Sequence, residues 1–321
     1  MATLPQLYEP LGVHLKRVET IFEQALLSDM PCVEDLCSHL RHLRGKMLRP
    51  VLVLAAGQAC GELTKEHHTL AAVVEMVHMA TLVHDDVLDE ADVRRKTITV
   101  NRMSGNETAV MLGDFLISRS FLLCSSISCP KASQVVARAA ATVCEGELLQ
   151  LHNRGNWALT EQTYQTIIER KTAALTAAAC ELGAMYAGAA QPVVAGLHEY
   201  GRHIGIAFQI VDDILDIVGR QEQTGKTPGS DARQEKLTLP LIHFLAQSTN
   251  GDRQRLPALH PDGQDRAGLQ KILEQSGSLD YARRTAHDCV ARAIRCLACL
   301  PDNPARRHLR SMAEFIVDRQ F

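Results

Sequence analysis

The chain has 321 residues, with 34 Lys and Arg against 37 Asp and Glu and a formal net charge of −3. That balance leaves no electrostatic footprint for nucleic acid. Apolar residues make up 46% but aromatics only 4%, so small and aliphatic side chains must fill an otherwise ample core. Most of the ten cysteines sit inside apolar helical patterns, which suits buried thiols in a reducing cytosol better than a disulfide framework. Cys296 and Cys299 form a CxxC with no second pair or nearby His, so neither zinc nor redox chemistry is indicated. The start, MATLPQLYEPLG, lacks the basic and apolar regions of a signal peptide. The expectation is a soluble, cytoplasmic protein.

Helical periodicity dominates and no convincing alternating strand appears, so the reading is all-α, one domain over residues 1–321. Basic residues from Ser38 to Arg44 lead into GKMLRP at 45–50. Pro50 is tolerable in a first helical turn, which places Lys46 and Arg49 near a helix start. The next stretch, Glu75 to Arg95, is apolar on nearly every side, yet Glu75, His78, Thr81, Asp85 and Asp89 recur on one face. Asp85 and Asp89, with Asp86 beside them, crowd negative charge at the helix C-terminus, where the macrodipole disfavours it. A cation is wanted there. Ala91 to Lys96 then carries two adjacent arginines away from the aspartates.

Thr108–Ser125 and Val135–Leu151 read as further apolar helices, the second interrupted by Glu145, Glu147 and Gln150, with a break at Gly155 and Asn156. Tyr164–Ala190 reads as one long helix or two, with Lys171-Thr172 alone in an apolar setting. A lone buried Lys is rarely structural, because desolvation would neutralise it. The Ala, Gly and Thr content of Ala173–Ala190, with Glu181 at its middle, suits a closely packed internal helix better than a membrane span. His198–Val218 repeats the earlier theme: AFQIVDDILD at 207–216 aligns with ATLVHDDVLD at 80–89. Gly219–Glu235 reads as a polar loop, Lys236–Leu245 as a helix, Asn250–Asp265 as a second loop, and Gly268–Gln320 as two or three helices.

Two DDxxD clusters, each ending an apolar helix, supply hard oxygen ligands of the kind Mg²⁺ shares with a substrate's phosphates. Lys46, Arg49, Arg94, Arg95, Lys171, Lys226 and Lys236 add the cations a pyrophosphate needs. No GxxxxGK[ST] loop is present, so a nucleoside triphosphate is not indicated.

At these residues the chain resembles the trans-type (head-to-tail) isoprenyl diphosphate synthases, most of all the long-chain ones, from about Gly45 to Leu241. The motifs are GKMLRP, HDDVLDEADVRR at 84–95, KT at 171–172, FQIVDDILD at 208–216 and GKTPGSD at 225–231. The resemblance implies a single large helical bundle around a central cavity, the isoprenoid synthase type I fold, and a homodimer. It implies that Asp85, Asp89 and Asp212, supported by Asp216, hold Mg²⁺, three ions once diphosphate is bound. Lys46, Arg49, His78 and Arg95 would hold isopentenyl diphosphate. Arg94, Lys171, Lys226 and Lys236 would contact the allylic diphosphate, farnesyl or geranyl. Thr172 and Gln209 would line the developing cation, with Lys171 completing the catalytic group. Lys96 and Glu235 stand where the family commonly has Gly.

Val77, Ala80 and Thr81 lie one and two turns before Asp85, and short-chain members tend to carry bulky aromatics at Ala80 and Thr81. Small residues imply a product of C30 to C50, as for a quinone side chain, with at most peripheral membrane contact for its handover. The alternatives are a short-chain farnesyl or geranylgeranyl synthase, a terpene cyclase, a di-iron bundle using Glu75-x-x-His78, and a non-catalytic partner subunit. A cyclase would usually lack GKMLRP and the second DDxxD. A di-iron bundle would need a second ExxH, and a non-catalytic subunit tends to lose the aspartates.

Overall fold

The computed structural model describes residues 3–42, 45–219, 231, 234–248 and 266–318. Helices dominate it. They are α1 (Leu4–Tyr8), α2 (Gly12–Ala25), α3 (Pro31–His42), α4 (Leu48–Cys60), α5 (Lys65–Leu88), α6 (Val100–Ser104), α7 (Asn106–Ser125) and α8 (Pro130–His152). They continue as α9 (Glu161–Ile168), α10 (Ala174–Tyr186), α11 (Gln191–Val218), α12 (Leu239–Gln247), α13 (Arg266–Gln275), α14 (Ser278–Cys296) and α15 (Pro304–Val317). The all-α expectation holds, with one correction. Val93–Arg94 and Thr97–Ile98 pair as a short antiparallel hairpin, β1–β2, directly after α5. Two residues per strand are too few to show alternation in a sequence.

Close backbone approach organises the centre. A Cβ on Gly183 of α10 would lie 2.2 Å from the Val53 carbonyl oxygen of α4. One on Gly201 of α11 would lie 2.5 Å from the Thr176 carbonyl oxygen, and one on Gly205 2.6 Å from the Ala173 Cα. Real side chains do not fit in such gaps, so α10 is clasped between α4 and α11. Its alanines and glycines are the small residues that the low aromatic content demanded. The run Ala173–Ala190, read as an internal helix rather than a membrane span, is buried from Leu175 to Ala184 except at Glu181.

The stretch Tyr164–Ala190, expected as one long helix or two, is two helices joined by a widened turn. Residues Glu169–Ala173 form a π turn between α9 and α10, in which the Ala174 amide donates to the Glu169 carbonyl. Such widened turns occur as single insertions within helices, often at functional sites. Here the insertion carries Lys171 and Thr172. Gly146 of α8 lets it in, since a Cβ there would sit 2.5 Å from the Lys171 amide nitrogen.

The outer face of α7 differs. Val110, Met111, Phe121 and Leu122 are all exposed there, as is Leu148 on α8. By length and composition α7 could cross a membrane, and 33% of its most apolar window is buried.

Candidate active site

Helix α5 delivers the first aspartate cluster. Thr64 precedes it with its amide donating to His67 Nδ1 at 3.0 Å, and Glu66 complements the positive pole of the first turn. Asp89 is the C-terminal cap, its amide bonded to the Asp85 carbonyl at 2.8 Å. The cations that this end requires are present. Asp89 Oδ1 lies 3.0 Å from both Lys236 Nζ and Arg154 Nη2. Asp85 Oδ2 lies 4.0 Å from Lys171 Nζ. Burial opposes charge on Asp89, but Lys236, Lys171 and Arg154 outweigh it and hold its carboxyl below the usual value. Burial likewise works against the Lys171 ammonium, while Asp85, Glu147 and Asp89 raise it above its ordinary value.

Three residues of this group have no role assigned by the sequence. Arg154 follows α8, and Glu147 and Gln150 face inward from α8. Gln150 Oε1 accepts from Lys171 at 2.8 Å, and Glu147 pairs with the same ammonium. For Glu147 and Gln150 the signal was the polar interruption of the α8 face; Glu145, the third residue of that interruption, instead pairs outward with Arg170.

Asp86 is turned away from its neighbours. It is 2% exposed and accepts from Arg94 Nε at 2.7 Å. Thr99 and Asn101 both donate to the Ala91 carbonyl, at 2.5 and 3.2 Å, and Asn101 also donates to the Asp86 carbonyl. These bonds fasten the β1–β2 hairpin to the end of α5. Arg94 therefore anchors the hairpin, a task additional to the diphosphate contact expected of it. Arg95 and Lys96 form the two-residue hairpin loop with φ of 53° and 66°. Such loops favour glycine or asparagine, so Lys96 holds a left-handed backbone at the position where the resembled family commonly has Gly. Glu235, the other such position, has φ 54°.

A second group forms around the start of α4. Met47 caps that helix in the left-handed region, with Pro50 inside the first turn as expected. A Cβ on Gly45 would overlap the Arg95 guanidinium, at 2.2 Å from Nη2, so Gly45 makes room for it. Burial lowers the Arg49 guanidinium, with Glu75 and Asp212 opposing that shift and Arg95 reinforcing it. Glu75, 2% exposed, favours the charged form of both Arg49 and Arg95, whose guanidinium groups burial lowers. Its alignment on the polar face of α5 was legible, but not this purpose. Lys46 is exposed and lies with Leu4, Tyr8 and Phe315, and His78 is half-buried on the polar stripe of α5.

Helix α11 carries the second cluster. Asp212 and Asp216 are half-buried, while Asp213 is fully buried. Asp216 Oδ2 accepts from the Asp231 amide at 3.1 Å. Gln209 Oε1 accepts from Thr172 Oγ1 at 2.8 Å, which joins α11 to the π turn. Lys236 is buried on Asp89, and Gln234 donates to the Asp89 carbonyl. Lys226 lies outside the described residues. Val77 and Ala80 are each 1% exposed, and Thr81 donates to the His78 carbonyl at 2.7 Å.

Among the described residues no three His, Cys, Asp or Glu side chains converge as a ready-made ligand set. The carboxylates of α5 and α11 are instead the hard oxygen donors that suit a divalent cation held by one or two carboxylates and completed by substrate phosphates and water.

The fold and this site define a trans-prenyltransferase. The chain belongs to the polyprenyl synthetase family, whose model matches residues 30–276. It is 38% identical to the octaprenyl diphosphate synthase of Escherichia coli, covering 93% of each chain. A decaprenyl diphosphate synthase structure from Rhodobacter capsulatus superposes with a TM-score of 0.92 at 37% identity, covering 99% of each chain. A polyprenyl synthase from Caulobacter crescentus, complexed with calcium and isoprenyl diphosphate, gives 0.94 at 34% identity, covering 99% of this chain and 98% of that one.

Proposed function

We propose that the protein condenses an allylic diphosphate, farnesyl or geranyl, with isopentenyl diphosphate in successive steps, forming an all-trans polyprenyl diphosphate of C30 to C50. The observation that carries this reading is the meeting of Asp85 and Asp89 with Lys171, Lys236 and Arg154, directly beside the Thr172–Gln209 pair. Asp85, Asp89 and Asp212, with Asp216, would hold Mg²⁺. When bound, the metal supplies positive charge to the diphosphate as the allylic C–O bond breaks.

The chain's own residues do the rest. Lys171 and Lys236 neutralise the same diphosphate, aided by Arg94 and Lys226. Lys46, Arg49, His78 and Arg95 hold isopentenyl diphosphate with its double bond toward the allylic carbon. The Gln209 carbonyl and Thr172 hydroxyl oxygens face the developing cation, where fixed dipoles lower the barrier most. The departed pyrophosphate accepts the final proton, so no side-chain base is required.

The growing chain runs down α5 past Thr81, Ala80 and Val77. Each added C5 unit buries apolar surface worth up to about 4 kcal/mol, which favours continued elongation. The experiment is product sizing by reversed-phase chromatography after dephosphorylation. Wild type should give C30 to C50, and Ala80→Tyr should give C15 or C20. An unchanged distribution from a folded, active Ala80→Tyr variant would show that the chain takes another path.

The exposed apolar stripe of α7 supports a homodimer through that face. Burying Phe121, Leu122 and Met111 against a second copy removes large side chains from water. Sedimentation of the purified protein tests it: Met111→Glu with Leu122→Glu should yield monomers.

A further inference from the structure

We propose that Tyr164 and Asp213 are positioning residues that set which end of the Gln209 amide faces the reacting carbon. This rests on the cation-site reading of Thr172 and Gln209 given above. Asp213 alone among the aspartates of its motif is fully buried, at 4% exposure. Its Oδ2 accepts from the Tyr164 hydroxyl at 2.6 Å and its Oδ1 from Gln209 Nε2 at 2.8 Å. Gln209 Oε1 in turn accepts from Thr172 Oγ1 at 2.8 Å. Tyr164 on α9, Thr172 on the π turn and Gln209 with Asp213 on α11 thus form one chain of hydrogen bonds.

The direction of that chain carries the inference. A side-chain amide has a donor end and an acceptor end of similar shape, so its neighbours decide which way it points. Asp213 Oδ2 is already occupied by the Tyr164 hydroxyl, and its Oδ1 takes the NH₂ end of Gln209. Burial and the adjacent Asp213 raise the Tyr164 hydroxyl well above its ordinary value, keeping it a donor. The Gln209 carbonyl is therefore fixed toward Thr172, with a second lone pair left for the cation. Turned over, the amide would aim the positive end of its dipole there.

Asn at 213 would keep its oxygen for Tyr164 and offer NH₂ to Gln209, forcing that inversion. Asp213→Asn should therefore lower kcat by about a hundredfold, comparable with removal of a dipole at the developing charge. Tyr164→Phe, which only loosens the carboxylate, should lower it by about tenfold. Both KM values and the Mg²⁺ concentration for half-maximal rate should stay within about twofold. In a Gln209→Leu background, Tyr164→Phe should add less than about twofold, since its effect passes through Gln209.

A normal kcat in Tyr164→Phe, an additive loss in the double variant, or a raised Mg²⁺ requirement in Asp213→Asn would each overturn the proposal; the last would make Asp213 a metal ligand. Tyr164→Phe keeps the ring, and its melting temperature reports on the fold if Asp213→Asn fails to accumulate. Normal turnover in Gln209→Leu would defeat the underlying cation-site reading as well. A slow Gln209→Leu beside a normal Tyr164→Phe would defeat the positioning role alone.

Discussion

The two DDxxD motifs are nearly the same word spelled twice, yet their middle aspartates are satisfied in different ways. Asp86 is buried against a formal cation, Arg94 Nε at 2.7 Å. Asp213 is buried against neutral donors, the Tyr164 hydroxyl and the Gln209 amide. The first arrangement anchors a hairpin, and the second orders a chain of side chains that reaches Gln209 and Thr172. The flanking aspartates diverge too. Asp89 is met directly by Lys236 and Arg154, whereas Asp212 belongs to the charge environment of Arg49. A repeated motif therefore fixes where carboxylates stand but not what they do; the elements packed on each copy decide that.

The largest expected effect would break the comparison at its common point. If both outer clusters serve one metal-dependent site, Asp85→Asn and Asp212→Asn should each slow turnover by about a thousandfold while the protein stays folded. Near-normal steady-state rates in either variant with Mg²⁺ present would mean that only one motif matters.

Stability should separate the middle aspartates. Arg94→Leu leaves Asp86 buried without its countercharge and should cost about 3–5 kcal/mol in denaturant unfolding. Tyr164→Phe removes one hydrogen bond of several and should cost about 1 kcal/mol. Equal losses would erase the distinction drawn between them.

The cations next to each cluster offer a finer test. Arg49→Ala should raise KM for isopentenyl diphosphate by about tenfold to a hundredfold, the worth of a charge-assisted contact. Arg154→Gln should leave that KM unchanged and raise the KM for the allylic primer instead, by about tenfold at most. The reverse pattern in initial-rate measurements would mean that the two pockets are exchanged.

The smallest effect concerns the left-handed residue after each cluster. Lys96→Gly and Glu235→Gly relieve non-glycine residues at positive φ, at the cost of greater freedom in the unfolded chain. A net gain of at most about 1 kcal/mol is expected for each. A loss at either site, measured by thermal unfolding, would show that the side chain contributes more than the backbone strain removes.

Much of this arrangement could be read from the chain. Periodicity placed α5, α7, α8 and α11, because long helices with one polar stripe leave an unambiguous trace. The helices α1 to α3 went unassigned, since short, mixed stretches such as Leu4–Tyr8 leave little pattern. The stripe identified Glu75 but not its purpose, which depends on Arg49 and Arg95 arriving from distant segments. Arg154 was missed because it sits in a turn, where no periodicity singles it out, and Asp213 because spacing alone could not separate it from Asp216. Lys171-Thr172 stood out by polarity, but the π turn that presents them follows from how Gly146 and Gly205 let neighbouring helices approach.

That π turn acts as a phase shift. One extra residue between α9 and α10 lets each helix keep its own apolar register, Tyr164, Ile167 and Ile168 on one side of the insertion and Leu175 to Ala184 on the other. Neither register need continue the other. Shortening the chain by one residue at 169–173 would restore regular winding and leave both composition and length almost intact. It would also rotate every downstream contact of α10 relative to α9, so that the packing against α4 and α11 could be kept only by swinging Lys171 and Thr172 away from Asp85 and Gln209.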